Sequence, residues 1–119
     1  MTPEEMKART TEFAVQVIEV VEELPRSKAA QHIGGQLLRA GTSVGANYRA
    51  ACRARSHTEF TSKLGIVLEE ADESAYWLEL LMASRLPKRD NLRALHQEAE
   101  ELTAIFAAAR KTARDPERG

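Results

Sequence analysis

An all-α chain folded as an up-and-down antiparallel four-helix bundle is the architecture this sequence predicts, and three observations predict it. Proline stands only at Pro3, Pro25, Pro87 and Pro116, so the stretches between them contain no residue that breaks a helix outright. Apolar residues recur in those stretches at alternating intervals of three and four, which is the spacing of one helix face, and no strand alternation competes. Side chains able to cap a helix precede the runs. The 119 residues suffice for one domain with its own core. We read that domain as residues 1–114, with a mobile tail at 115–119.

The first helix opens on Thr2, Pro3 and Glu5, a capping side chain, a proline at the first helical position and an acid three residues after the cap. Met6, Phe13, Val17, Val20, Val21 and Leu24 then form its apolar face until Pro25, giving a helix over about residues 3–24. The second opens at Ser27 and carries Ile33, Leu37, Ala40, Val44, Tyr48 and Ala51. It runs through Gly41 and Gly45 although each costs about 1 kcal/mol relative to alanine in a helix, because the apolar period continues across them. Ser56 with Glu59 forms a second capping pattern, so this helix ends near Arg53 and the third begins at His57. Phe60, Leu64, Val67, Leu68, Ala71, Ala75, Leu78 and Met82 carry the third to about Arg85. Leu92, Leu95, Ala99, Leu102, Phe106, Ala109 and Ala113 mark the fourth, with Arg110, Lys111 and Arg114 at its carboxyl end, where the helix dipole favours cations.

The net charge of −1 excludes a uniformly basic coat, but it hides a strong asymmetry. Residues 1–25 hold two bases and six acids, 26–63 seven bases and one acid, and 64–86 one base and five acids. On the basic second helix, Lys28, His32, Arg39, Ser43, Ala46, Arg49 and Arg53 fall within an arc of about 120°. This stripe either pairs with the acidic helices on each side or tracks phosphates, with Arg39, Arg49 and Arg53 as the contacts. The only ring on this helix besides His32 is Tyr48, which lies on the apolar face, so backbone or structured RNA or DNA fits better than single strands stacked on aromatics.

Gly34, Gly41, Gly45 and Cys52 form a further line, beside Leu38, where missing side chains admit a closely packed helix, from the same bundle or from a neighbouring subunit. On the third helix Ile66, Trp77, Leu80 and Leu81 lie away from the main stripe and read as an exposed apolar patch. Gly41, Gly45, Trp77 and Leu81 are therefore the candidate oligomer interface. Asn47, at the edge of an apolar face, reads as a structural amide that is hydrogen-bonded when buried.

Positive signs of chemistry are few. No histidine has a glutamate three residues before it, as a bundle di-iron site needs, so no metal and no cofactor is expected. Gly41–Gly45 lacks the Gly-Lys-Ser/Thr ending of a phosphate loop. Cys52 lies near Arg49, Arg53 and Arg55 but reads first as a small packed side chain. One cysteine, no signal-peptide pattern and no long apolar run point to a cytoplasmic chain with no membrane span.

Two stretches carry a resemblance. The segment Gln36, Leu37, Leu38, Arg39, Ala40, Gly41, Thr42, Ser43, Val44, Gly45, Ala46, Asn47, Tyr48, Arg49 and the segment Leu68 through Leu81 resemble the small four-helix-bundle family first noted as proteins encoded in intervening sequences of bacterial 23S ribosomal RNA genes. The likeness covers nearly the whole chain. It implies an up-and-down bundle that assembles into a homo-pentamer, with no established enzymatic activity. A related branch, the accessory proteins of diversity-generating retroelements, comprises basic pentamers that bind nucleic acid and a reverse transcriptase. The near-neutral charge of this chain departs from that branch. The expectation is thus a non-catalytic homo-oligomeric scaffold that binds nucleic acid or a ribonucleoprotein partner through the basic stripe, the alternative being a protein–protein adaptor with no nucleic-acid role.

Overall fold

A computed structural model describes residues 1–86 and 92–115, so all but one residue of the expected 115–119 tail lie outside the described residues. Four helices follow in order, α1 (Pro3–Glu22), α2 (Lys28–Cys52), α3 (His57–Ser84) and α4 (Leu92–Arg114). They form an up-and-down bundle with extents of 49 × 22 × 22 Å. At 1.5 Å per residue α3 alone runs about 42 Å, most of that length.

Local chemistry sets the helix starts. Thr2 Oγ1 accepts the Glu5 N–H at 3.1 Å while Glu5 Oε1 accepts the Thr2 N–H at 3.1 Å, closing the capping box predicted for α1. That backbone bond holds the Glu5 carboxyl below the ordinary carboxylate range. Ser27 and Ser56 cap α2 and α3 through the N–H groups of Ala30 and Glu59, at 3.2 and 3.0 Å. At α3 the reciprocal arm differs from the expected box. Glu59 Oε2 reaches back to the Arg55 N–H at 3.2 Å, one residue before the cap. The carboxylate thereby ties the α2–α3 connection to the first turn of α3.

The helices pack unequally. α3 has extensive contact with both α2 and α4, α1 packs mainly on α2, and α1 and α4 touch only lightly. Phe13, Leu37, Leu64, Leu78, Leu81, Leu102 and Phe106 fill the centre with at most 1% of their surface exposed. Each such side chain contributes roughly 1.5–3 kcal/mol by leaving water. Leu81 corrects one expectation, since it is fully buried and belongs to no exposed patch. Because α3 has a partner on each side, its buried arc is wider than the single stripe from which Leu81 was excluded. The light α1–α4 contact is reinforced by Arg9, whose Nε and Nη2 donate to Glu98 Oε2 and Oε1 at 2.8 and 2.6 Å.

The glycine line is a seam between α1 and α2. A Cβ on Gly34 would stand 2.8 Å from Leu24 Cδ1, one on Gly41 2.8 and 2.9 Å from the two methyls of Val17, and one on Gly45 3.0 Å from Thr10 Oγ1. Thr10 is fully buried at this contact and its hydroxyl donates to the Met6 carbonyl at 2.9 Å. The helices approach so closely that a methyl group would have to displace a neighbour at each position. Of the two partners left open by the sequence, the packing inside the chain accounts for all three glycines. Cys52, placed on the same line, is exposed instead.

Candidate nucleic-acid interface

The antiparallel register of α2 and α3 decides what each cation of α2 meets. At mid-helix Arg39 faces α3, where its Nη1 pairs with Glu70 Oε2 at 3.1 Å and its Nη2 pairs with Glu73. Glu73 Oε2 also accepts the Trp77 indole N–H at 3.0 Å, and the Trp77 ring stands edge-on to His32 with centroids 6.1 Å apart. Arg39 and Trp77, assigned to different surfaces from the sequence, thus belong to one network that closes the outer α2–α3 seam. Half-buried Asn47 donates from Nδ2 to the Ser43 carbonyl at 2.9 Å, one turn back on its own helix.

Nearer the end of α2 the surroundings change. Arg49 is exposed and makes only a long 3.4 Å contact to the Thr11 hydroxyl on α1. Arg53 is exposed, and with Arg55, Glu59 and Lys63 it lines an open cleft of about 480 Å³ where α2 turns into α3. Residues 49–63 carry four cations and one acid, and that acid, Glu59, accepts the Arg55 N–H. Among the described residues none of these four cations has a carboxylate partner. The up-and-down topology brings the α4 terminus, with Arg110, Lys111 and Arg114, to the same end of the bundle. The N-terminus of α3 adds the positive end of its dipole. Clustered cations at a helix N-terminus raise the positive potential there.

The expected set Arg39, Arg49 and Arg53 therefore separates into one paired cation and two free ones. Arg55, Lys63, Arg110 and Arg114 were absent from that set, yet their positions follow once the connection order of the bundle is applied to the chain. Gly41 and Gly45 lie in the α1–α2 seam, and Leu81 in the core. The large apolar side chains left outside include Val15 and Ile18 on α1, each 41% exposed, Leu38 on α2, 37% exposed, and Tyr76 and Ile66 on α3, the latter a member of the patch expected there. Leu38 and Val21 border one groove between α1 and α2, which Gly34 and Gly35 also line.

Tyr48 packs its ring against Phe106 with centroids 5.6 Å apart, and burial together with the adjacent Cys52 thiol pushes its hydroxyl up to about 12. No group of three or more His, Cys, Asp or Glu among the described residues is arranged to hold a metal ion. No helix there is long and apolar enough to cross a membrane.

Comparison with known proteins agrees with the bundle and its motifs. No curated protein matches the chain. It is similar to a crystal structure of a protein of unknown function from the S23 ribosomal protein family of Bacteroides thetaiotaomicron, at 34% identity and a TM-score of 0.83 over 94% of this chain and 100% of that one. The profile of the family described as 23S rRNA-intervening sequence protein matches residues 4–108, and this chain belongs to that family.

Proposed function

We propose that the chain is a self-assembling, non-catalytic scaffold, a homo-pentamer in the manner implied by its family likeness, that holds structured RNA or DNA by its phosphates at the basic end. One observation carries the reading. Arg39 in the middle of α2 is matched by Glu70 and Glu73, and Arg9 on α1 by Glu98, whereas Arg49, Arg53, Arg55 and Lys63 stand together with none. Rigid helices that present unpaired cations bind successive phosphates without reading bases.

The assembly part rests on exposed apolar side chains, Leu38 in a groove between α1 and α2 that a second copy of the chain would cover, and Val15 and Ile18 on α1. Light scattering on the eluted protein should then give several times the 13.2 kDa chain mass, and a monomer at micromolar concentration would remove this part. Fluorescence anisotropy of a labelled RNA hairpin tests the other part. With four cations on phosphates, affinity should fall roughly 100-fold for a fourfold rise in salt. An adaptor with no nucleic-acid role would show no binding at physiological salt.

A further inference from the structure

A second cleft, of about 560 Å³, opens on the other flank of α3, between its first two turns and the last two turns of α4. His57, Thr58, Thr61, Ser62, Arg110 and Arg114 line it. Four of its donor side chains are unengaged. The side chains of Thr58, Ser62, Arg110 and Arg114 make no hydrogen bond or ion pair with any other described residue. The Arg110 Nε–H is moreover buried with no acceptor. Gly65 makes this placement possible, since a Cβ there would stand 3.1 Å from Nε, so the missing side chain lets the guanidinium lie directly on α3. An N–H held against a helix in this way has lost water without gaining an acceptor, a costly arrangement that an anion in the cleft would relieve.

The frame around the cleft is fixed. His57 Nε2 donates to the Ala113 carbonyl 2.5 Å away, joining the start of α3 to the end of α4. Thr61 donates its hydroxyl to the His57 carbonyl at 3.0 Å, leaving its oxygen as an acceptor while Thr58 and Ser62 remain free to donate. We propose that this cleft is a phosphate-binding site, with Arg110 and Arg114 supplying charge and the hydroxyls of Thr58 and Ser62 supplying neutral donors. Donors that arrive from two helices suit the three oxygens of a phosphate group better than a planar carboxylate, and the N-terminus of α3 adds its dipole. The site lies at the same basic end but uses none of the α2 cations and shares no lining residue with the cleft at Arg53, so its failure and that of the nucleic-acid reading are distinguishable.

The His57 Hε1 proton reports on it. In NMR titrations at constant pH and ionic strength, inorganic phosphate should shift this signal saturably while sodium chloride does not. Arg114→Gln, at an exposed side chain whose loss spares the fold, should weaken phosphate binding about tenfold, the value of one charge-assisted contact. Gly65→Ala, which crowds Arg110, should weaken it as well, and Arg53→Glu should leave it unchanged. Saturation by dimethyl phosphate as well identifies the bridging phosphate of a nucleic-acid strand as the source. Saturation by the monoester dianion alone identifies a free or terminal phosphate, and either result supports the site. Equal shifts with chloride, or wild-type affinity in Arg114→Gln, would overturn it.

Discussion

Two parts of α2 that look alike in the sequence differ in what they meet. The segment from Gly34 to Gly45 turns Gly34, Gly41 and Gly45 against α1 and Arg39 against the carboxylates of α3, all inside the chain. The segment from Arg49 to Arg53 bears the same kind of cation on the same stripe, yet it ends beside the α2–α3 connection and the start of α3, which supply Arg55 and Lys63. The role of a surface arginine in a bundle is therefore set by the charge at the matching level of the next helix. Segment totals hide this. A functional surface is to be sought where those levels carry like charge.

The comparison can be broken most strongly at the seam. Gly41→Leu would drive a branched side chain into the Val17 methyls and should cost about 3 kcal/mol, seen as a fall of about 10 °C in melting temperature by circular dichroism. Unchanged stability would mean that the seam is not close-packed. Arg39→Glu comes next. It replaces two ion pairs with repulsion at a half-exposed site and should cost about 1 kcal/mol in the same melt. At Gly35, on the same helix but with nothing within 4 Å of the point where a Cβ would stand, alanine should instead stabilise the protein by up to about 1 kcal/mol. A loss there as large as at Gly41 would show that glycine serves α2 in some way other than close approach.

A smaller effect concerns pH. The Tyr48 hydroxyl titrates near 12 in the folded chain, above the ordinary value of 10, so the unfolded chain loses this proton first as pH rises. The associated stability is complete below pH 10 and declines as pH rises to 12. Tyr48→Phe should flatten the decline in that window, measured by urea unfolding at pH 9 and pH 11. An unchanged decline would place the alkaline sensitivity elsewhere.

Much of the fold was legible before the structure because it is written locally. Thr2 with Glu5, and Ser56 ahead of α3, mark helix starts within one turn, and the three–four apolar spacing marks the buried faces. The partners of each face were not legible, since they depend on register between helices. The glycine line announces a close approach but leaves open whether α1 or another subunit makes it. Leu81 stands at the edge of its stripe, and only contact with both α2 and α4 makes that edge core. Glu70 and Glu73 are two among the five acids of residues 64–86 until the register places Arg39 against them. Arg55, Lys63, Arg110 and Arg114 lie off the α2 stripe in the sequence, and the topology alone gathers them at one end.

The central claim is that the free cations at the end of α2, and not the paired one in its middle, hold nucleic acid. Anisotropy titration of one RNA hairpin with wild type, Arg39→Glu and the double variant Arg49→Glu/Arg53→Glu, all at the same salt, tests it most directly. The account predicts that the double variant keeps its melting temperature and loses at least about tenfold in affinity, two phosphate contacts having been removed, while Arg39→Glu binds nearly as wild type does. Equal loss in both variants, or binding that survives in the double variant, would contradict it.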